Sequence, residues 1–166
     1  PVVIAAYKRT PFTRAYKGDL ARVRPDEFTA QLITALVKES KISKKDVEDL
    51  IVGCAFPEAE QGFNIGRLIG FLAKLDVNTA GMTLNRFCGS SMQAIHIAAG
   101  NLQMGAGDAY ICAGVESMSL VPMTGHNPLP HPDLYETYPQ AYIGMGETAE
   151  NVAKKYKIDR ERQDAF

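Results

Sequence analysis

The chain has 166 residues, 46 % of them hydrophobic, and a net charge of -1. That length suits one domain, or one domain with an appendage, and the apolar fraction allows a sizeable core. Lysines and arginines are dispersed, with no basic cluster interleaved with aromatics, so no nucleic-acid partner is expected.

The opening Pro1–Ala6 is apolar but short, and lacks the charged start and cleavage pattern of a secretory leader. No apolar run is long enough to span a bilayer, so no membrane association is expected. The three cysteines, Cys54, Cys88 and Cys112, are widely spaced and form no C-x-x-C pair. Neither a disulfide framework nor a metal site is expected, and a reducing, cytoplasmic compartment fits.

In chain order, residues 2–6 predict a buried strand of β-branched and small apolar residues. A polar, Arg-rich loop follows to Pro25. Pro25 and Asp26 stand where helix starts are favoured, and Phe28, Leu32, Ile33, Leu36 and Val37 share one helical face. Ser43 with Asp46 predicts a capped short helix. Residues 50–55 predict a second buried strand. Asn64 caps a helix striped with Ile65, Leu68, Ile69 and Leu72. A strand over 81–86, a helix over 89–104 ended by Gly105 and Gly107, and a strand within 108–115 follow. Strands alternating with helices predict an α/β domain with a mostly parallel, mixed sheet.

The periodicity breaks after Ser119. Residues 120–146 carry five prolines and show no period, and connections of this length tend to be functional. A helix resumes near Thr148, with Lys154, Lys155 and Lys157 near its end. Asp159 caps another that has barely begun at Phe166, so a chain cut within a longer protein is expected. The reading gives an N-terminal domain over 1–119 and the start of a second over 120–166.

The chemistry concentrates in Leu84-Asn85-Arg86-Phe87-Cys88-Gly89-Ser90-Ser91-Met92-Gln93-Ala94-Ile95. A strand leads into a tight turn and then a helix, with Cys88 at the turn. Unpaired N–H groups and the positive dipole end favour a thiolate there. The same N–H groups suit an oxyanion on a bound thioester. Gly89, lacking a side chain, lets a substrate approach closely. An inert buried cysteine is the usual fate of free cysteines, and Cys54 and Cys112, within apolar strand patterns, read that way. From Phe87 to Gly107 there is no charged side chain, which predicts a helix buried on most sides, with cover supplied by partner protein.

A nucleophilic Cys88 needs a general base. His96 lies roughly 12 Å along the same helix and does not reach it. His126 and His131 fall in the proline-rich stretch, where solvated histidines are the rule. The base is therefore expected outside this chain. Gly105-Ala106-Gly107-Asp108 follows a helix, not a strand, and reads as a turn, not a dinucleotide loop.

The segment Asn85–Ala94 closely resembles the acyl-cysteine motif of thiolases, especially the degradative 3-ketoacyl-CoA type. Arg9-Thr10-Pro11-Phe12 resembles the family's opening, and Gly114-Val115-Glu116-Ser117-Met118-Ser119 its second glycine motif. Met145–Ala153 followed by Gln163-Asp164-Ala165-Phe166 is similar to a stretch of its loop domain. The resemblance implies half of a layered αβαβα arrangement around a buried central helix, with residues 120–166 beginning the loop domain.

The resemblance further implies acyl transfer between coenzyme A thioesters through Cys88, with acetyl-CoA, acyl-CoA and coenzyme A as substrates, no cofactor, and a homodimer or tetramer. The family's Gly-His-Pro, Cys-x-Gly and Asn-containing motifs are not in this chain; Gly125-His126-Asn127-Pro128 imitates the first but has Asn inserted. Met145 matches a position lining the acyl pocket, and packing of a helix start explains a methionine there equally well. Gly144 stands where short-chain biosynthetic members commonly have His, which implies a looser limit on acyl length. Two other classes remain open: a redox-active thiol protein using Cys88, against which the lack of a resolving partner argues, and a non-catalytic piece that serves assembly.

Overall fold

The computed structural model describes all 166 residues, Pro1–Phe166. The chain divides into two compact units, Pro1–Asn127 and Pro128–Phe166.

The first unit is built on three short strands, β1 (Asp49–Gly53), β2 (Ala80–Leu84) and β3 (Tyr110–Gly114), in the order β2-β1-β3. Both ladders are parallel, with Gly53 in register with Leu84 and with Gly114. The sheet is therefore wholly parallel rather than mixed, because helical crossovers join its strands. Central β1 is covered on both faces, which is why Leu50, Ile51 and Val52 form an uninterrupted apolar run with no exposed area.

One face carries α1 (Pro25–Ser40) and α2 (Ile65–Leu72), with Ile33, Val37, Ile65 and Ile69 packed on Leu50 and Val52. The other carries α3 (Ser90–Gln103), whose Ala94 and Ala98 lie on Ile51. The helix starts follow their local sequence. Pro25 opens α1 at its first position, and Asp26 accepts the Arg24 guanidinium at 2.8 Å and the Glu27 N–H at 2.9 Å. Asn64 Oδ1 accepts the Arg67 N–H at 3.3 Å and caps α2. Ser43 accepts the Lys45 N–H at 3.3 Å, but the element it opens is one 3-10 turn, Lys44–Asp46.

Two expectations are corrected, for residues 2–6 and for the stripe of α2. Residues 2–6 form no strand, and Val2, Val3 and Ile4 are 40, 75 and 73 % exposed. A strand requires a ladder partner as well as apolar residues, and this segment finds none. Within this chain α3 is covered on one side. Ser90, Ala94 and Ala98 are buried, whereas Met92 and Ile95 on the other side are exposed. α1 and α2 occupy the opposite face of the sheet, so these residues place no second layer over the uncharged outer side of α3. In α2 likewise Ile65 and Ile69 are buried while Leu68 and Leu72 are exposed.

The first unit continues past Ser119. Val121 is fully buried, and the His126 N–H donates to Glu58 Oε2 at 2.7 Å. The second unit comprises α4 (Pro132–Thr137), a 3-10 turn (Pro139–Tyr142), α5 (Met145–Tyr156) and α6 (Arg160–Ala165). The aperiodic proline stretch thus contains a helix, because Pro132 stands at its first position, where a fixed φ assists helix entry. Asp159 Oδ1 accepts the Arg162 N–H at 2.8 Å and caps α6. No helix is long and apolar enough to cross a membrane.

Candidate active site

The carboxyl ends of β1, β2 and β3 converge on the amino end of α3. Two paired glycines let it come close. A Cβ on Gly53 would stand 2.5 Å from Ser91 N and 2.6 Å from the Ser90 carbonyl carbon, and one on Gly114 2.8 Å from Ser91 Cβ. The first turn of α3 therefore rests directly on strand backbone, where ligands of open parallel sheets commonly bind.

Between β2 and α3 the chain makes a single 3-10 turn, Phe87–Gly89, with Cys88 at its centre. Cys88 is exposed, so the structure puts this sulfur at an accessible helix start. Side chains of the turn tie it down locally. The Arg86 N–H donates to Ser90 Oγ at 2.8 Å, and the Ser90 hydroxyl donates to the Phe87 carbonyl at 2.6 Å. Gly89, at φ -89°, is not required by its conformation, and a Cβ there would meet only Arg86 Cγ and Cδ at 3.8 and 3.9 Å. The space beside Cys88 on that side is open.

The other two thiols differ in kind. Burial, reinforced by the Glu116 carboxylate, pushes the buried Cys54 thiol up to about 12. Burial, with a smaller contribution from Asp49, pushes Cys112 up to about 11. At pH 8 roughly one in a thousand or fewer of either is ionised, and only the thiolate alkylates at a useful rate. Iodoacetamide at pH 8 is expected to label Cys88 in the folded protein, and Cys54 and Cys112 only after denaturation. Peptide mapping by mass spectrometry checks this, and early labelling of Cys54 would contradict the assignment.

A polar network joins Glu116 to residues that the sequence did not single out. Glu116 Oε2 accepts the Ala55 N–H at 2.8 Å, and Glu116 Oε1 accepts the Gln61 amide at 2.8 Å. Gln61 is fully buried, and its Oε1 accepts the Ser117 N–H at 2.5 Å. Glu116 was legible as part of a motif; Gln61, in a turn 55 residues away, carried no local signal. Asn85 was legible only as a motif letter, although an Asn two residues before a tight turn is a known local brace.

His96 is exposed on α3, and the His126 backbone is held by Glu58. Neither imidazole is hydrogen-bonded to Cys88. His131 belongs to the second unit, where its N–H donates to the Tyr142 hydroxyl at 3.1 Å. Met145 is the first residue of α5 in that unit and is 69 % exposed.

Fold and turn together define a parallel α/β domain that offers an exposed thiol at a helix start. The family profile of the thiolase N-terminal domain matches residues 2–166. A 3-ketoacyl-CoA thiolase of Bacillus subtilis (strain 168) is 48 % identical over 164 residues, 99 % of this chain. Proteins of the same name from Acinetobacter baumannii (strain AYE) and Psychrobacter cryohalolentis are 44 and 43 % identical over 165 residues, again 99 % of the chain. The chain spans 42 % of the length of each of these relatives. This chain belongs to the thiolase family, and the matched region is the N-terminal domain.

Proposed function

We propose that this segment supplies the nucleophile of an enzyme that cleaves 3-ketoacyl-CoA with coenzyme A, or condenses acetyl-CoA in reverse, through an acyl-Cys88 thioester. The observation that carries the reading is the exposed Cys88 at the start of α3, in a chain of the thiolase family. The Cys88 thiolate adds to the ketone carbon of a 3-ketoacyl-CoA, giving a tetrahedral alkoxide. In this reading backbone N–H groups left free at the turn stabilise the oxyanion, those of Gly89 and Ser90 being already given to the Arg86 and Phe87 carbonyls. The alkoxide collapses, the C2–C3 bond breaks, and its electron pair leaves as the enolate of acetyl-CoA, which an acid protonates at carbon. The acyl group stays on sulfur. Coenzyme A, deprotonated by a base, then attacks the thioester, releases acyl-CoA and returns Cys88 as thiolate. Two half-reactions on one sulfur give ping-pong kinetics.

The base and acid lie, in this reading, in the part of the complete enzyme beyond these residues. Three observations support that: Cys88 has no histidine partner here, the relatives are more than twice as long, and the uncharged outer side of α3 is uncovered. In the same reading Met145 contributes to the acyl pocket, the unit Pro128–Phe166 belongs to the loop domain, and the complete protein is a homo-oligomer acting on acetyl-CoA, acyl-CoA and coenzyme A.

The experiment is acetylation of the complete enzyme. Incubation with acetyl-CoA, rapid digestion and mass spectrometry are expected to find one acetyl group per chain, on the Cys88 peptide. An adduct on another residue, or none in an enzyme that turns over, rejects the covalent route through Cys88.

A further inference from the structure

The turn that presents Cys88 is held in a backbone conformation that a bulky residue disfavours. Phe87 has φ +44°, in the left-handed region, where a non-glycine side chain crowds the following carbonyl. Such a residue persists when its surroundings over-determine it. Two neighbours do so here. Asn85 Oδ1 accepts the Phe87 N–H at 2.8 Å, and the Phe87 ring packs on Phe56 with centroids 5.9 Å apart.

The same Asn85 side chain reaches in a second direction. Its Nδ2 donates to the Ala55 carbonyl at 2.8 Å, across 30 residues. The Ala55 N–H is in turn held by Glu116 Oε2 at 2.8 Å. A continuous hydrogen-bonded path therefore runs from the Glu116 carboxylate, through the Ala55 residue and the Asn85 carboxamide, to the residue before the nucleophile.

We propose that Asn85 is a positioning residue of the acyl-transfer reaction: anchored to Ala55, which Glu116 holds, it keeps Phe87 left-handed and so aims the Cys88 sulfur. The inference rests on the acyl-transfer reading above. Relaxation of Phe87 to negative φ is a rotation of roughly 100°. Strand β2 on one side and α3 on the other are fixed by packing, so the turn itself absorbs that rotation, and Cys88 is its middle residue. Asn85 needs no contact with substrate to act in this way.

The test uses the complete enzyme with Asn85→Ala and Asn85→Ser, each scored as turnover per Cys88 that takes an acetyl label at saturation. Misaimed reacting atoms cost rate rather than affinity. Turnover per labelled site is expected to fall about tenfold to a hundredfold in Asn85→Ala. KM for acyl-CoA stays within about twofold, since no substrate contact is lost. A serine hydroxyl still accepts the N–H two residues on but does not span to Ala55. Asn85→Ser is therefore expected to recover part of the loss, with a melting temperature near that of the parent.

A purely structural role would lower the melting temperature and the number of labelled sites while leaving turnover per site unchanged, and that result overturns the proposal. So does an Asn85→Ser variant no faster per site than Asn85→Ala. A parent enzyme that never labels at Cys88 removes the acyl-transfer reading and this inference together. A parent that labels, beside an Asn85→Ala that turns over normally, removes the inference alone.

Discussion

Replacing Cys88 by Ser in the complete enzyme is expected to abolish acyl transfer while leaving the fold intact. The free thiol is exposed, and substitutions at such positions usually change stability by less than about 0.5 kcal/mol. Chemically the change is drastic. A hydroxyl at that turn is un-ionised and far less nucleophilic, and no imidazole of this chain is hydrogen-bonded to it to take its proton. Loss of the covalent nucleophile should lower kcat on the order of 10^4-fold or more, the scale on which nucleophile deletions act. The acetyl adduct should vanish in parallel. Cys54→Ala and Cys112→Ala serve as comparisons: both thiols are pushed well above their usual range, so their removal should affect stability more than turnover. A Cys88→Ser enzyme with a tenth or more of parental turnover would mean that the acyl group travels by another route.

The second large effect is steric and comes from Gly53→Ala. The atoms that an added Cβ would meet are backbone N at 2.5 Å, backbone carbon at 2.6 Å and Ser90 Cβ at 2.7 Å. None is the free end of a flexible side chain. Ordinary carbon contacts lie near 3.5–4.0 Å, so the first turn of α3 must lift from β1 by about 1 Å. Overpacking of this kind costs about 1–3 kcal/mol, read as a lower urea midpoint at unchanged m-value. A displacement of that size at the reacting centre is expected to cost about a hundredfold in kcat. Unaltered stability and rate in Gly53→Ala would show that α3 is not seated on β1 as described.

The legible features share a physical basis. β1, β2, β3 and α1–α3 each appeared within a residue or two of their positions, because each rests on side chains close in sequence: apolar runs for the strands, and Pro25 and Asn64 at the starts of α1 and α2. Cys88 at the mouth of a helix was legible for the same reason, since strand, turn and helix are consecutive. The illegible features depend on distant partners. The segment 2–6 has the composition of a strand and no ladder, and Leu68 and Leu72 share the α2 stripe yet are exposed. The helix at 132–137 is the exception, a local signal in Pro132 that five scattered prolines obscured.

Residue order alone determined that this protein alternates strands with helices, that one of its three cysteines stands at a turn, and which family motifs it carries. Those properties follow from contacts of a few residues' span, set by periodicity, capping and glycine or proline chemistry. Only the tertiary structure decided that Gly53 and Gly114 seat α3 on the sheet, and that Glu116, Ala55 and Asn85 form one path to Phe87. The two hydrogen bonds that meet at Ala55 join residues 30 and 61 positions apart. Their pairing depends on where packed helices and strands come to rest, and no local pattern encodes it.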